Sequence, residues 1–200
     1  MPVLGITGGI GTGKSAFTRF LHAQLPGEVF DADAVVHKLL AHDETVRLAV
    51  REAFGEAIFR PDGTPDRVRL REQIFKSPEQ RGLLEAILHP AVRQSWLHEM
   101  SRFHSAKAWY LVDIPLLYET QAEAQLSRVV VVACSPATQR ERLATQRQLD
   151  AAMTEKIIGA QLSLEFKIEK ASHVIWNDST LTCLQGQARL LANWLCKYYG

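Results

Sequence analysis

The chain has 200 residues, 46% of them hydrophobic, with 23 basic and 22 acidic side chains and a formal net charge of +1. That length suits one domain with a substantial core and room for an inserted subdomain. Interspersed, nearly balanced charge gives no field directed at nucleic acid or a membrane surface, and no segment approaches the roughly 18 uninterrupted apolar residues of a membrane span.

The first residues run straight into an apolar stretch, so no secretory leader is expected ahead of it. Cys134, Cys183 and Cys196 are odd in number, widely spaced and set among apolar neighbours. Buried free thiols in a reducing cytosol are expected from them, rather than a disulfide framework or a zinc site.

Val3–Thr7 reads as a buried strand. It runs into Gly8-Gly9-Ile10-Gly11-Thr12-Gly13-Lys14-Ser15, which fits the phosphate-binding template G-x-x-x-x-G-K-[ST], and Ala16–Leu21 then reads as the first turns of a helix. This strand–loop–helix context is what the motif requires. Glycines let the backbone curl so that successive N–H groups face one phosphate, and the helix N-terminus adds partial positive charge. Lys14 would meet the outer phosphates and Ser15 would ligate Mg²⁺. The loop predicts nucleoside triphosphate binding.

Four further apolar runs, Glu28–Asp31, Trp109–Ile114, Arg128–Cys134 and His173–Trp176, read with the first as buried strands of a parallel sheet, because they are continuous rather than alternating. Helical stretches separate the third, fourth and fifth, which predicts a doubly wound α/β fold. Between the second and third strands the rhythm breaks. Ala34–His42, Thr45–Phe54, Arg67–Phe75 and Pro78–Phe103 read as successive helices, with Pro61-Asp62-Gly63-Thr64-Pro65 as a turn. They predict an inserted helical subdomain. Behind the fourth strand come arginine-rich Ala137–Arg147 and helical Gln148–Gln161; Leu181–Tyr198 is expected to pack on the sheet.

Ligands of parallel α/β sheets bind outside the carboxyl ends of the strands, where three groups of residues gather. Arg140, Arg142 and Arg147 are candidates to reach phosphate, or to pair with Glu141 on an exposed helix. Asp113 ends the third strand, and Asp31-Ala32-Asp33 ends the second. A carboxylate there suits a base for an acceptor hydroxyl or a metal ligand. Asp31 and Asp33 share a side if extension persists; one is expected to serve the site and the other to shape the turn. Asp33 is chosen as base, against the alternative that it caps the next helix. His22, His42, His98 and His104 lack metal-ligand spacing. Trp96 and Trp109 are expected in the core, Trp176 and Trp194 there or partly exposed, and His89-Pro90 marks either a helix boundary or a substrate contact.

Several of these features in order, Thr7 through Ser15, Asp31-Ala32-Asp33 with His37, Leu70–Phe75, His89-Pro90, Pro115-Leu116-Leu117 with Glu119, Gln139 with Arg142, Gln161, and Val174-Ile175 before Asn177, resemble dephospho-CoA kinase from about Val3 to Leu191. The resemblance implies a P-loop NTPase fold: a five-stranded parallel sheet flanked by helices, with a helical substrate domain and a lid. It implies ATP-dependent phosphorylation of the ribose 3′-hydroxyl of dephospho-CoA in the cytoplasm. The core would comprise 1–33, 106–136 and 162–200, the substrate domain 34–105 and the lid 137–161. Gly8, Gly9, Ile10, Gly11, Thr12, Gly13, Lys14, Ser15 and Ala16 would hold ATP, and Ser15 with Asp113 the Mg²⁺. Asp33 as base and Thr7 would face the acceptor. Arg140, Arg142 and Arg147 would be lid cations, Asn177 would lie near the adenine, and Asp31, His89, Pro115, Leu116, Leu117 and Glu119 would lie on the substrate side. Three departures from the family pattern stand out: Ala16 where many members carry a hydroxyl, a longer Arg142–Arg147 spacing, and Ser172 in place of the usual Asp.

A nucleoside monophosphate kinase of the same architecture is the rival enzyme. A GTP-dependent switch would need an Asn-Lys-x-Asp-type segment after the fourth strand, and none is present.

Overall fold

The computed structural model describes residues 2–103 and 108–199, with backbone alone at Phe75 and Lys76. His104 and the expected boundary at 105–106 lie outside the described residues. The chain divides into two compact units, Met1–Phe30 with Phe103–Gly200, and Asp31–Arg102.

The first unit is built on a parallel sheet of β1 (Val3–Gly8), β2 (Gly27–Asp31), β3 (Trp109–Asp113), β4 (Arg128–Ala133) and β5 (His173–Trp176), in the order β2-β3-β1-β4-β5. In register, Ile6 lies beside Asp113, Gly8 beside Val132, and Ala133 beside Trp176. The carboxyl ends of β1, β3 and β4 therefore finish side by side. β1 and β3 are buried throughout and β4 after its first residue, as continuous apolar runs require. β2 and β5 depart from the expectation of five buried strands, because they are the sheet edges and each exposes part of its length.

α1 (Lys14–His22) and α9 (Leu181–Tyr199) pack on this sheet. Phe17 and Leu21 of α1 share a core with Leu184, Ala188, Leu191 and Leu195 of α9 and with Leu4, Ile6, Leu111, Val130 and Val132. The buried positions of α9 recur at helical spacing. Cys183 and Cys196 fall off that stripe and are exposed, so of the three expected buried thiols only Cys134 is buried. α6 (Pro136–Arg147), α7 (Ala151–Gly159) and α8 (Leu164–Lys170) lie between β4 and β5 in the chain. Trp109 is buried as expected, and Trp176 and Trp194 are partly exposed.

The second unit holds α2 (Ala32–His42), α3 (Glu44–Phe54), α4 (Arg67–Lys76) and α5 (Pro78–Arg102). Asp31, Asp43 and Asp66 each accept a backbone N–H at the start of a helix, satisfying donors that the first turn leaves open. Leu40, Val50, Phe54, Ile58, Leu70, Leu84 and Leu88 form its core. α5 continues through Pro90, so His89-Pro90 is not a boundary between helices. An interior proline costs about 3 kcal/mol or more. Leu84, Leu88, Val92 and Trp96, buried at four-residue intervals on both sides of Pro90, offset it by burying apolar side chains from both halves.

His173 packs edge-on against Trp194, with ring centroids 4.7 Å apart. Burial and then the Arg128 guanidinium hold its imidazole below the ordinary 6.5. The folded protein resists that protonation, so the contribution is full above about pH 6.5 and is lost as pH falls below it. His173→Phe is expected to flatten the acid side of the stability curve, measured as urea midpoints from pH 7.5 to 5.

Candidate active site

β1 is central, and the chain leaves its end toward β2 on one side, whereas β3 leads to β4 on the other. Such a reversal opens a crevice at the carboxyl edge. The loop from Gly8 to Gly13 occupies that edge. Thr12 closes it on Gly9: its N–H (3.3 Å) and hydroxyl (2.8 Å) both donate to the Gly9 carbonyl. Gly11 (φ 77°) and Gly13 (φ 91°) adopt left-handed backbone, which favours glycine. A side chain on Gly13 would also collide with the Asn177 amide. α1 starts at Lys14 with no side-chain cap. The N–H groups of Lys14, Ser15 and Ala16 therefore have no acceptor within the helix and combine with its positive end to suit an anion.

The loop's remaining polar groups are held by distant side chains. Gln139 Nε2 donates to the Ile10 carbonyl (2.6 Å), and Ile10 N–H donates to Gln161 Oε1 (3.0 Å). Asn177, expected beside the adenine, is buried and donates from Nδ2 to the Thr12 carbonyl (2.8 Å); Arg142 Nη1 reaches the same carbonyl at 3.4 Å. Carbonyl oxygens are thus drawn away from the amide-lined side.

Lys14 donates to Asp113 Oδ1, and the Thr18 hydroxyl donates to Asp113 Oδ2 at 2.7 Å. Only 11% of the Lys14 side chain and 7% of the Asp113 side chain are exposed. The pair sets a cation beside the loop and a carboxylate behind it, while the Ser15 side chain is exposed at the helix start.

Other predicted residues take places of their own. Thr7, expected at the acceptor hydroxyl, is buried and donates to the Pro115 carbonyl at 3.0 Å. That carbonyl also accepts from Lys167 Nζ at 3.2 Å, and Lys167, fully buried, pairs with Glu119 Oε1 at 2.8 Å. Glu119 Oε1 further accepts Leu162 N–H at 2.9 Å. Leu117 is in the core, while Pro115 and Leu116 are partly exposed. Arg140 pairs with Glu155 through Nε (2.6 Å) and Nη2 (3.2 Å), not with Glu141, and Arg147 is exposed at the end of α6.

In the helical unit, Asp31 is the residue that caps α2, accepting Ala34 N–H at 3.0 Å. The helix begins at Ala32, two residues earlier than expected, so extension does not persist and Asp33 sits exposed in the first turn. His37 accepts from Arg67 Nη2 at 2.6 Å, and His89 is half-buried on α5.

Lys167 was not anticipated from the sequence. A lysine in a seven-residue helix reads as a solvent-facing charge. Replacing it by Met strands the Glu119 carboxylate, which is expected to lower stability by about 3 kcal/mol. Adding Glu119→Gln should recover much of that loss in chemical denaturation; equal stability of Lys167→Met and the parent would show that the pair bears no load.

The family model of dephospho-CoA kinase matches residues 2–182. A dephospho-CoA kinase of Anaeromyxobacter dehalogenans is 40% identical over 96% of this chain and 92% of its own length. The crystal structure of TT1252 from Thermus thermophilus superposes with a TM-score of 0.79 at 30% identity, covering 100% of this chain and 98% of that one. Dephospho-CoA kinase from Campylobacter jejuni shares the fold at a TM-score of 0.71 and 22% identity, over 98% and 97% of the two chains. The fold is that of the P-loop kinases, and the chain belongs to the dephospho-CoA kinase family.

Proposed function

We propose that this chain transfers the γ-phosphoryl group of ATP to the ribose 3′-hydroxyl of dephospho-CoA, giving coenzyme A in the cytoplasm. The observation that carries the reading is the amide-lined loop running into α1 beside the Lys14–Asp113 pair, in a chain matched by the family over residues 2–182. Phosphoryl transfer asks a protein chiefly for positioning and for cations on the peripheral oxygens. Gly8–Ala16 hold the phosphates, and Lys14 turns from Asp113 to the outer ones.

Magnesium fits the donors available. Ser15 offers a hydroxyl and Asp113 a carboxylate, and Mg²⁺ keeps much of its water when only one or two protein oxygens reach it. Among the described residues no group of three or more His, Cys, Asp and Glu side chains forms a metal site of its own, so the ion belongs with the triphosphate. Ser15 and Asp113 would hold it there, where it would supply positive charge to the phosphates.

Asp33 takes the proton of the acceptor hydroxyl. Residues 34–105 bind dephospho-CoA, with His89 among the contacts, and 1–33, 106–136 and 162–200 form the core. Pro115, Leu116 and Glu119 serve the substrate side from the loop after β3. Residues 137–161 form a lid whose arginines, Arg140, Arg142 and Arg147, close over the phosphates and exclude water as a competing acceptor. Arg140 must leave Glu155 to do so.

With Mg·ATP and a panel of acceptors, turnover is expected on dephospho-CoA; activity confined to nucleoside monophosphates would overturn the reading. Lys14→Ala is expected to lower kcat by about 10²–10³ or more with the fold intact. Asp33→Asn is expected to lower kcat by about 10²–10⁴, with a much smaller change in ATP affinity. An unchanged rate in Asp33→Asn would assign the base elsewhere.

A further inference from the structure

We propose that Gln139 and Gln161 are positioning residues that couple the segment 136–161 to the phosphate loop by gripping one residue, Ile10, through the two peptide groups on either side of its Cα, from both ends of that segment. The proposal rests on the reading of this segment as a lid. Gln139 closes the first turn of α6, and its side chain is buried. Gln161 follows the end of α7 by two residues. One donates to the Ile10 carbonyl and the other accepts the Ile10 N–H, across sequence separations of 129 and 151 residues. Both polar groups of a single residue are thereby committed to the two roots of one segment.

The chemistry explains why both are glutamines. A primary amide supplies a donor for a carbonyl and an acceptor for an N–H without carrying charge. A carboxylate at 161 would repel an incoming triphosphate, and an ammonium at 139 would compete with Lys14 for it. With both groups held, neither peptide unit flanking the Ile10 Cα can rotate without breaking a bond to the segment.

Packing reinforces this link. A Cβ on Gly9 would meet Gln139 Nε2 at 2.9 Å, and one on Gly11 would meet Leu143 at 3.2 Å and the Gln139 carbonyl at 3.3 Å. α6 thus lies directly on the backbone at both residues flanking Ile10. Arg142, one turn beyond Gln139, reaches the Thr12 carbonyl, so the position of the helix also sets where this arginine stands. A triphosphate that settles the loop favours one position of α6 and α7, and by linkage a fixed position of the segment favours the occupied loop.

The test uses the full chain and trypsin, which cuts after exposed Arg147. In the parent protein, Mg²⁺ with a non-hydrolysable ATP analogue is expected to slow this cut by about tenfold or more. In Gln139→Ala, and in Gln161→Leu at a half-exposed position that tolerates the change, that protection is expected to disappear while the analogue still binds. Each single variant is also expected to lower kcat about tenfold, and the double variant no further, because both bonds fix the same residue. Full protection in both variants, or losses that multiply in the double variant, would overturn the coupling alone. A parent protein that the analogue fails to protect would remove the lid reading, and the coupling with it.

Discussion

A loop that offers amide hydrogens to an anion must dispose of its own carbonyl oxygens, and in this chain that requirement organises the site. Thr12 closes the turn on Gly9, Gln139 takes the Ile10 carbonyl, and Asn177 with Arg142 takes that of Thr12. These partners come from α6 and from the end of β5, far away in sequence. Side chains from elsewhere in the fold satisfy the loop's outward face. What remains open is the start of α1, where three N–H groups and the helix dipole point the same way.

Two nearly buried ion pairs flank this loop and differ in what surrounds them. Lys167–Glu119 is a strut: its lysine is fully buried, and the same two residues also bind Pro115 and Leu162. Thr7 joins the strut through the Pro115 carbonyl, tying β1 to the loop after β3. Lys14–Asp113 stands at the mouth of the phosphate loop. Buried pairs contribute little net stability, since desolvation offsets most of the attraction. A pair so balanced can change partner at small cost, which suits the proposed turn of Lys14 to phosphate.

Much of the site could be read from local sequence. The glycine pattern, Lys14 and Ser15 lie within one strand–loop–helix unit, and their chemistry depends on neighbours a few residues away. Asp113 was found for a similar reason, as a carboxylate closing an apolar run. Readings that depended on long-range geometry went differently. α2 starts two residues earlier than its sequence suggests, and Asp31, the residue left to shape the turn, caps it. Pro90 does not end a helix, because apolar side chains on both sides of it are buried. The bond from Asn177 to Thr12 and the burial of Lys167 had no counterpart in the sequence reading; register between strands and the burial of a short helix decide them, and neither leaves a periodic trace. Edge strands β2 and β5 looked like inner strands, because an apolar run does not reveal its place in the sheet.

The most direct test is to locate the transferred phosphorus. Phosphorus NMR of dephospho-CoA incubated with Mg·ATP and the protein should show a new monoester resonance coupled to the ribose 3′ proton, growing in step with ADP. Release of inorganic phosphate with no new monoester, or a phosphate placed on another hydroxyl, would contradict the proposed reaction.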